Sequence, residues 1–169
     1  MKRLFITTVI VLNLLAADAL TKELAVVRLK GAHPVTVIDG IFDLAYVENF
    51  GCAWGLFQGQ VWPLAVFGLM ALAFLVWKRR SIFGEWGTRT SAARVGCAAE
   101  PLLYAGIIGN AIDRIFRGHV VDMLDFHWKA SHFPCFNLAD TYISTAVGLL
   151  LLASLLESSG KTKKDQNSK

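Results

Sequence analysis

The sequence predicts an all-α membrane protein with four transmembrane helices, and three observations carry that prediction. Of the 169 residues, 54% are hydrophobic and only 18% charged, with a mean hydropathy of +0.48; soluble domains carry about 25% charge. Four stretches approach the roughly 20 apolar residues that a bilayer-spanning helix needs. The basic residues divide unevenly between the loops those stretches leave. The same composition excludes a disordered tail, a collagen-like repeat and a disulfide scaffold.

The first span, Leu4 to Leu20, is interrupted only by Asn13 and Asp18. The second, Val61 to Trp77, holds no charge, and Trp62 and Trp77 mark its ends, as aromatic side chains do at membrane interfaces. Each has 17 residues, or about 25 Å of helix. That is short of a hydrocarbon core of about 30 Å, so local thinning or snorkelling is expected. The third span, Ala92 to Ile112, carries Arg94, read as snorkelling, and Glu100, to which the sequence assigns no role. The fourth, Ala139 to Leu156, ends in a leucine-rich run.

Span one also has the outline of a secretory signal: Lys2 and Arg3, an apolar run, then Ala17-Asp18-Ala19 in place of an A-x-A cleavage site. Two features favour retention. Asp18 interrupts the cleavage region, and removal would leave three spans with termini on opposite sides.

The net charge is +4 and the isoelectric point near 9.1; here the distribution of charge, rather than its sum, carries the information, and no nucleic-acid partner is implied. One side of a four-span chain receives Lys2, Arg3, Lys78, Arg79, Arg80, Arg89, Lys161, Lys163, Lys164 and Lys169, with Arg94 at the border. The other receives Lys22, Arg28, Lys30, Arg114, Arg117 and Lys129. The excess of ten bases over six predicts that both termini are cytoplasmic. Eight of the 13 acids fall on the outer side: Glu23, Asp39, Asp43, Glu48, Asp113, Asp122, Asp125 and Asp140. Residues 1–160 are expected to form one integral-membrane domain, with 161–169 a basic cytoplasmic tail. Cys52, Cys97 and Cys135 are too few and too scattered for a disulfide framework or zinc ribbon, and are read as small apolar fillers.

The first outer loop, about residues 21–60, is too long for a plain connector. Val35–Ile38 and Ile41–Val47 flank Asp39-Gly40, a hairpin signal that predicts a small twisted β element near the membrane surface. The following Asn49-Phe50-Gly51-Cys52-Ala53-Trp54-Gly55 is rich in small residues. It reads either as an ordinary turn leading into an interfacial helix or as a close backbone approach.

In the second outer loop, Asn110 and Asp113 stand at i and i+3 on one helix face, and Arg114 suits a helix C-terminus. Asp122 follows a Val-Val pair, so a strand is expected to deliver it to the membrane boundary. Asp140 opens span four, where capping of the helix is the bland explanation. Ionisable groups at this depth are costly and usually functional. Two carboxylates sharing one proton would give a general base and a general acid, and spacing alone leaves the two readings open.

Five blocks, taken in order, resemble the lipoprotein signal peptidases (signal peptidase II), aspartyl peptidases of bacterial membranes. Asp18-Ala19-Leu20-Thr21-Lys22 is similar to the family's D-x-x-[ST]-K. Asn49-Phe50-Gly51-Cys52-Ala53-Trp54 resembles N-x-G-A-A-[FW], with Cys52 in place of the usual Ala. Gly109 to Arg114 fits G-N-x-x-D-R. Gly118-His119-Val120-Val121-Asp122 and Phe136-Asn137-Leu138-Ala139-Asp140 resemble the blocks that hold the family's acidic pair, with Thr141 where Ser is common.

The resemblance implies a catalytic dyad of Asp122 and Asp140, four membrane helices, an extracytoplasmic β-cradle and a short interfacial helix. It also implies a diacylglyceryl-modified prolipoprotein substrate, cut on the N-terminal side of its lipidated cysteine, with no metal or organic cofactor. Location in the bacterial inner membrane, a site on the outer face and action as a monomer are expected with it. Asp18, Lys22, Asn49, Gly51, Asn110, Asp113, Arg114 and Asn137 are then expected to bind substrate or support the dyad, with structural hydrogen bonding as the equal rival; ion pairs Asp113–Arg114 and Asp18–Lys22 are among those expected.

Two other classes compete. A metal-dependent membrane hydrolase would draw on His119, Asp122, Asp125, His127 and His132, but their spacing matches no standard site and lacks helical HExxH geometry. A small proton- or ion-coupled transporter would use the acids as an ion site, but its acids should lie mid-span rather than at one interface.

Overall fold

In the computed structural model the described residues are 2–85, 87, 90–129 and 131–166, with side chains to residue 158. Arg89 and Lys169, counted above in the charge balance, lie outside the described residues, as do the side chains of Lys161, Lys163 and Lys164. The chain runs α1 (Lys2–Leu29), β1 (Val35–Ile38), β2 (Phe42–Asn49), a 3-10 turn (Ala53–Gly55), α2 (Val61–Trp77), α3 (Arg79–Phe83), α4 (Ser91–Phe116), β3 (Val120–Trp128), β4 (Ser131–His132) and α5 (Leu138–Gln166). Within α1, α4 and α5 lie segments long and apolar enough to cross a membrane, and α2 is a shorter apolar helix of 17 residues.

All four long helices outrun or equal their predicted spans, for local reasons. Helix α1 continues nine residues past Leu20 because Ala25 and Leu29, one turn apart, pack on Val121 and Met123 of the sheet. Helix α2 keeps the predicted bounds. Its Pro63 sits in the first turn, where no intrahelical N–H bond is lost, and Trp62 and Trp77 are exposed at its two ends. Thr90 caps α4 by accepting from Ala93 N at 3.3 Å. Gly118, at φ 75°, takes the left-handed conformation that ends it. Helix α5 continues to Gln166, past residue 160 where the tail was expected to begin.

The four strands form one antiparallel sheet in the order β1-β2-β3-β4. The Asp39-Gly40 hairpin is present, with Gly40 at φ 70°. In the β2–β3 pair Asn49 stands opposite Val120 and Val47 opposite Asp122, which puts the end of β2 beside Asp122. A bridge between Leu124 and Phe136 draws the approach to α5 against β3. The short helix after β2 is a single 3-10 turn, in which Trp54 has φ 61°.

Helices α4 and α5 meet closely at Gly106: a Cβ there would lie 2.5 Å from the Ala139 carbonyl oxygen and 2.6 Å from Ile143 Cγ1. Small residues of this kind let membrane helices approach. The contact fixes the start of α5, and hence Asp140, against the middle of α4. The helix core is built from Val11, Phe83, Ala99, Leu103, Tyr104, Ala105 and Ala146.

Candidate active site

The site forms where the sheet meets the ends of α1, α4 and α5. Asp122, on β3, is 1% exposed. Its Oδ1 accepts from Asn137 Nδ2 at 2.7 Å and its Oδ2 from Asn49 Nδ2 at 2.9 Å. Asn49 is held in turn by Gly51, whose N–H donates to Asn49 Oδ1 at 2.9 Å. Gly51 has no room for a side chain, since a Cβ would lie 2.5 Å from the Leu56 carbonyl oxygen.

Asp140 lies in the first turn of α5, and Asn137 caps that helix. The Asp140 N–H donates to Asn137 Oδ1 at 3.0 Å, and the Asn137 N–H donates to Asp140 Oδ2 at 3.3 Å, a reciprocal capping arrangement. The other oxygen, Asp140 Oδ1, accepts from Asn110 Nδ2 at 2.7 Å. Asn137 therefore holds both carboxylates: Asp122 by its side-chain amide, Asp140 by its own backbone N–H. Capping and pairing are here the same geometry.

Behind this pair sits a buried charge cluster. Lys22, 1% exposed, lies 2.8 Å from Asp18 Oδ2 and 3.0 Å from Asp113 Oδ2. Its Nζ also donates to Asn110 Oδ1 at 3.3 Å, which orients the Asn110 amide so that its NH₂ faces Asp140. Asp18 Oδ1 accepts from the Ala139 N–H.

The expected Asp18–Lys22 pair is present; the expected Asp113–Arg114 pair is not among the ion pairs of the described residues. Adjacent helical residues point about 100° apart. Asp113 faces Lys22 and Arg117, whereas Arg114 donates to Gly51 O at 2.9 Å and Asn110 O at 3.4 Å. Arg114 thereby ties α4 to the glycine-rich block.

The surroundings of Asp122 favour its protonated form. Burial, and then the charge of Asp140, push the Asp122 carboxyl up to about 7, although the hydrogen bonds from Asn49 and Asn137 and the charge of Lys22 oppose the rise. Asp140, Asn49 and Asn110 line a cavity of about 1380 Å³ whose walls include Phe67, Trp54 and Phe136. Such a space, largely apolar with a few polar groups at one end, suits a ligand with long apolar chains and one polar reacting bond. Cys52 and Cys135 also line it, and burial pushes the Cys135 thiol up to about 12.

The histidines of the metal reading stand elsewhere. His127 and His132 stack at 4.9 Å; His127 lies 3.3 Å from Asp43, and His132 lies 2.9 Å from Asp125. His119 contacts Phe50. Among the described residues no three His, Cys, Asp or Glu side chains are grouped to hold a metal ion.

Two charged groups at or beside the site stand outside all five motif blocks. Arg117 pairs with Asp113 and with Glu23. The first of these pairs is an i,i+4 spacing legible in the sequence; the second crosses between helices and is not.

Comparison with known proteins shows the family and the fold. A family profile described as signal peptidase (SPase) II matches residues 10–156. The lipoprotein signal peptidase of Syntrophotalea carbinolica is 40% identical over 153 residues, covering 89% of this chain and 88% of that protein. That of Bacillus pumilus is 36% identical over 157 residues, covering 93% and 96%. A bacterial membrane enzyme solved by the in meso method at 2.3 Å superposes with a TM-score of 0.77 at 28% identity, over 92% of this chain and 90% of the other. Profile, relatives and fold coincide over nearly the whole chain, which belongs to the signal peptidase II family.

Proposed function

We propose that Asp122 and Asp140 are the catalytic pair of an aspartic endopeptidase that removes the signal peptide from diacylglyceryl-modified prolipoproteins, cutting N-terminal to the lipidated cysteine. The observation that carries this reading is Asn137, which binds Asp122 Oδ1 and both caps and is capped by Asp140. Two carboxylates held by one asparagine in a buried site favour a shared proton. With Asp122 as the group that holds it, Asp140 takes a proton from water as that water attacks the scissile carbonyl carbon, and Asp122 gives its proton to the carbonyl oxygen. The tetrahedral intermediate then collapses with return of one proton to the leaving nitrogen, freeing the carboxyl end of the signal peptide and the amino group of the lipidated cysteine.

Asn49 and Asn110 hold the two carboxylates in register, and Gly51, Asp18, Lys22, Asp113 and Arg114 support them. The apolar cavity receives acyl chains and the signal helix laterally from the bilayer. The excess of bases on one side supports cytoplasmic termini, with the sheet and the pair at the outer face of the inner membrane. Residues 1–160 act as a single domain and as a monomer, and 161–169 form its basic cytoplasmic tail.

The test uses purified full-length protein in detergent or bilayer, with prolipoprotein bearing or lacking the diacylglyceryl group. Asp122→Asn and Asp140→Asn should each lose cleavage by at least about 1,000-fold while leaving the fold intact by circular dichroism. Substantial cleavage by either variant would refute the pair, and equal cleavage of the unlipidated precursor would refute the substrate class.

A further inference from the structure

We propose that Arg117 is a positioning residue for Asp122, acting through Asp113; the inference rests on the reading of Asp122 and Asp140 as the reacting pair. Arg117 is the residue that closes α4. Its Nε donates to Asp113 Oδ1 at 3.0 Å, and its Nη2 reaches Glu23 on α1. Asp113 is 4% exposed, and its second oxygen, Oδ2, accepts the backbone N–H of Val121 at 3.2 Å beside Lys22 at 3.0 Å. Val121 directly precedes Asp122 and is fully buried. The chain of contacts therefore runs from a partly exposed guanidinium, through one carboxylate, to the peptide unit that enters Asp122.

Charge shows why the guanidinium matters. Without it, Lys22 alone faces two buried carboxylates, Asp18 and Asp113. Lys22 already divides its three donors among Asp18, Asp113 and Asn110. An Asp113 stripped of Arg117 has two ways to recover. It can draw Lys22 toward itself and off Asn110, which frees the amide that binds Asp140. Or it can turn its oxygens and release Val121, which frees the start of β3. Either response displaces one carboxylate of the pair.

The groups around Arg117 support a link across helices rather than a surface pair. Asp18, Lys22, Glu23, Asp113 and Arg117 together line a pocket of about 330 Å³ between α1 and α4, separate from the large cavity. Charges alternate along it: Glu23, Arg117, Asp113, Lys22, Asp18. Glu23 is exposed at its end of the line and Asp18 is buried at the other. Arg117 is thus the point at which the network is fastened to both helices at once. Because it lines neither the large cavity nor any contact with Asp122 or Asp140, its removal should disturb placement of the pair and leave substrate binding alone.

The experiment compares Arg117→Met, Arg117→Gln and Arg117→Lys with the parent, and with Lys129→Gln as a control for loss of a distant cation. Steady-state cleavage of a diacylglyceryl-modified prolipoprotein gives kcat and KM, and hydrogen exchange reads the Val121 amide. Arg117→Met and Arg117→Gln should lower kcat by roughly tenfold or more, as displacements of 1 Å or less do in other enzymes, with KM within about twofold of the parent. The Val121 amide should exchange faster in both. Arg117→Lys, which keeps an i,i+4 ion pair with Asp113, should restore most of kcat, and Lys129→Gln should match the parent. If Arg117→Met does not fold, the Gln and Lys variants carry the comparison. A kcat within twofold of the parent in the Gln or Met variant, or a loss that Lys does not restore, would overturn the inference. Activity retained by Asp122→Asn would instead strike the assignment of the pair, so the two failures are distinguishable.

Discussion

Asp18 on α1 accepts the backbone N–H of Ala139 on α5 at 3.0 Å, across 121 residues of sequence. Ala139 is the second residue of α5, so a donor left over at the helix N-terminus is satisfied by a side chain from a different helix. The same carboxylate meets Lys22 at 2.8 Å. One residue thus anchors both the first turn of α5, which carries Asp140, and the cation that orients Asn110.

Replacing it separates these roles. Asp18→Asn can still accept from Ala139 but loses the ion pair, whereas Asp18→Ala loses both. Loss of a cap alone costs about 1 kcal/mol, and a buried charge left without its partner costs more. Asp18→Ala should therefore melt below Asp18→Asn, and both below the parent, in thermal unfolding followed by circular dichroism. In cleavage assays kcat should fall in the same order. Equal melting of the Ala and Asn variants would refute the capping role.

Glu100, which the sequence left without a role, is fully buried at the end of the bundle away from the sheet. Arg3 reaches its Oε2 at 3.0 and 2.6 Å, and Arg79 its Oε1 at 3.1 Å. It ties the start of α1 and the short α3 to α4. Removing one member of such a group leaves the others uncompensated, at a cost of about 3 kcal/mol, so Glu100→Ala should unfold at clearly lower temperature. Ten residues of helix, about 15 Å, separate it from Asn110. The kcat of the folded fraction should stay within about twofold of the parent, and a selective loss of kcat without loss of stability would contradict this role.

The contrast between Glu100 and the outer blocks shows what the sequence made legible. The hairpin around Asp39-Gly40, the strand entering Asp122 and the apolar spans follow from local periodicity and turn chemistry, and each is present in the fold. The Asp18–Lys22 pair was legible for the same reason, since both ends lie on one helix face. Contacts that cross between helices were not. Nothing local to Glu100 announces Arg3 and Arg79, and nothing local to Asp113 announces Lys22 on α1. Helix α1 also runs beyond its apolar span, because its last turns are held by Val121 and Met123 on the sheet rather than by bilayer. The close approach of α5 to the bare backbone of Gly106 is likewise a contact between helices, with no local signal in the sequence.

The protonation of Asp122 gives the last prediction. Its carboxyl is pushed up to about 7, by burial first and by the charge of Asp140 second. A carboxyl raised in the folded state binds its proton more tightly there than in the unfolded chain. Its contribution to stability is therefore fully present below the unfolded value of 3.8 and is lost as pH rises through about 7. In the proposed reaction the same proton is the one given to the scissile carbonyl oxygen. Cleavage measured as kcat/KM should accordingly fall as pH rises above about 7, whereas the melting temperature should decline between pH 3.8 and about 7 and level off above that. Asp140→Asn removes the second cause of the rise and keeps the first. In that variant the carboxyl stretch of Asp122, followed by infrared difference spectroscopy, should titrate at a lower pH than in the parent while remaining above 3.8. The order follows from burial being the larger cause. An Asp122 signal that titrates at the same pH in parent and Asp140→Asn would show that the two carboxylates do not sense each other, and a pair that shares a proton cannot behave that way.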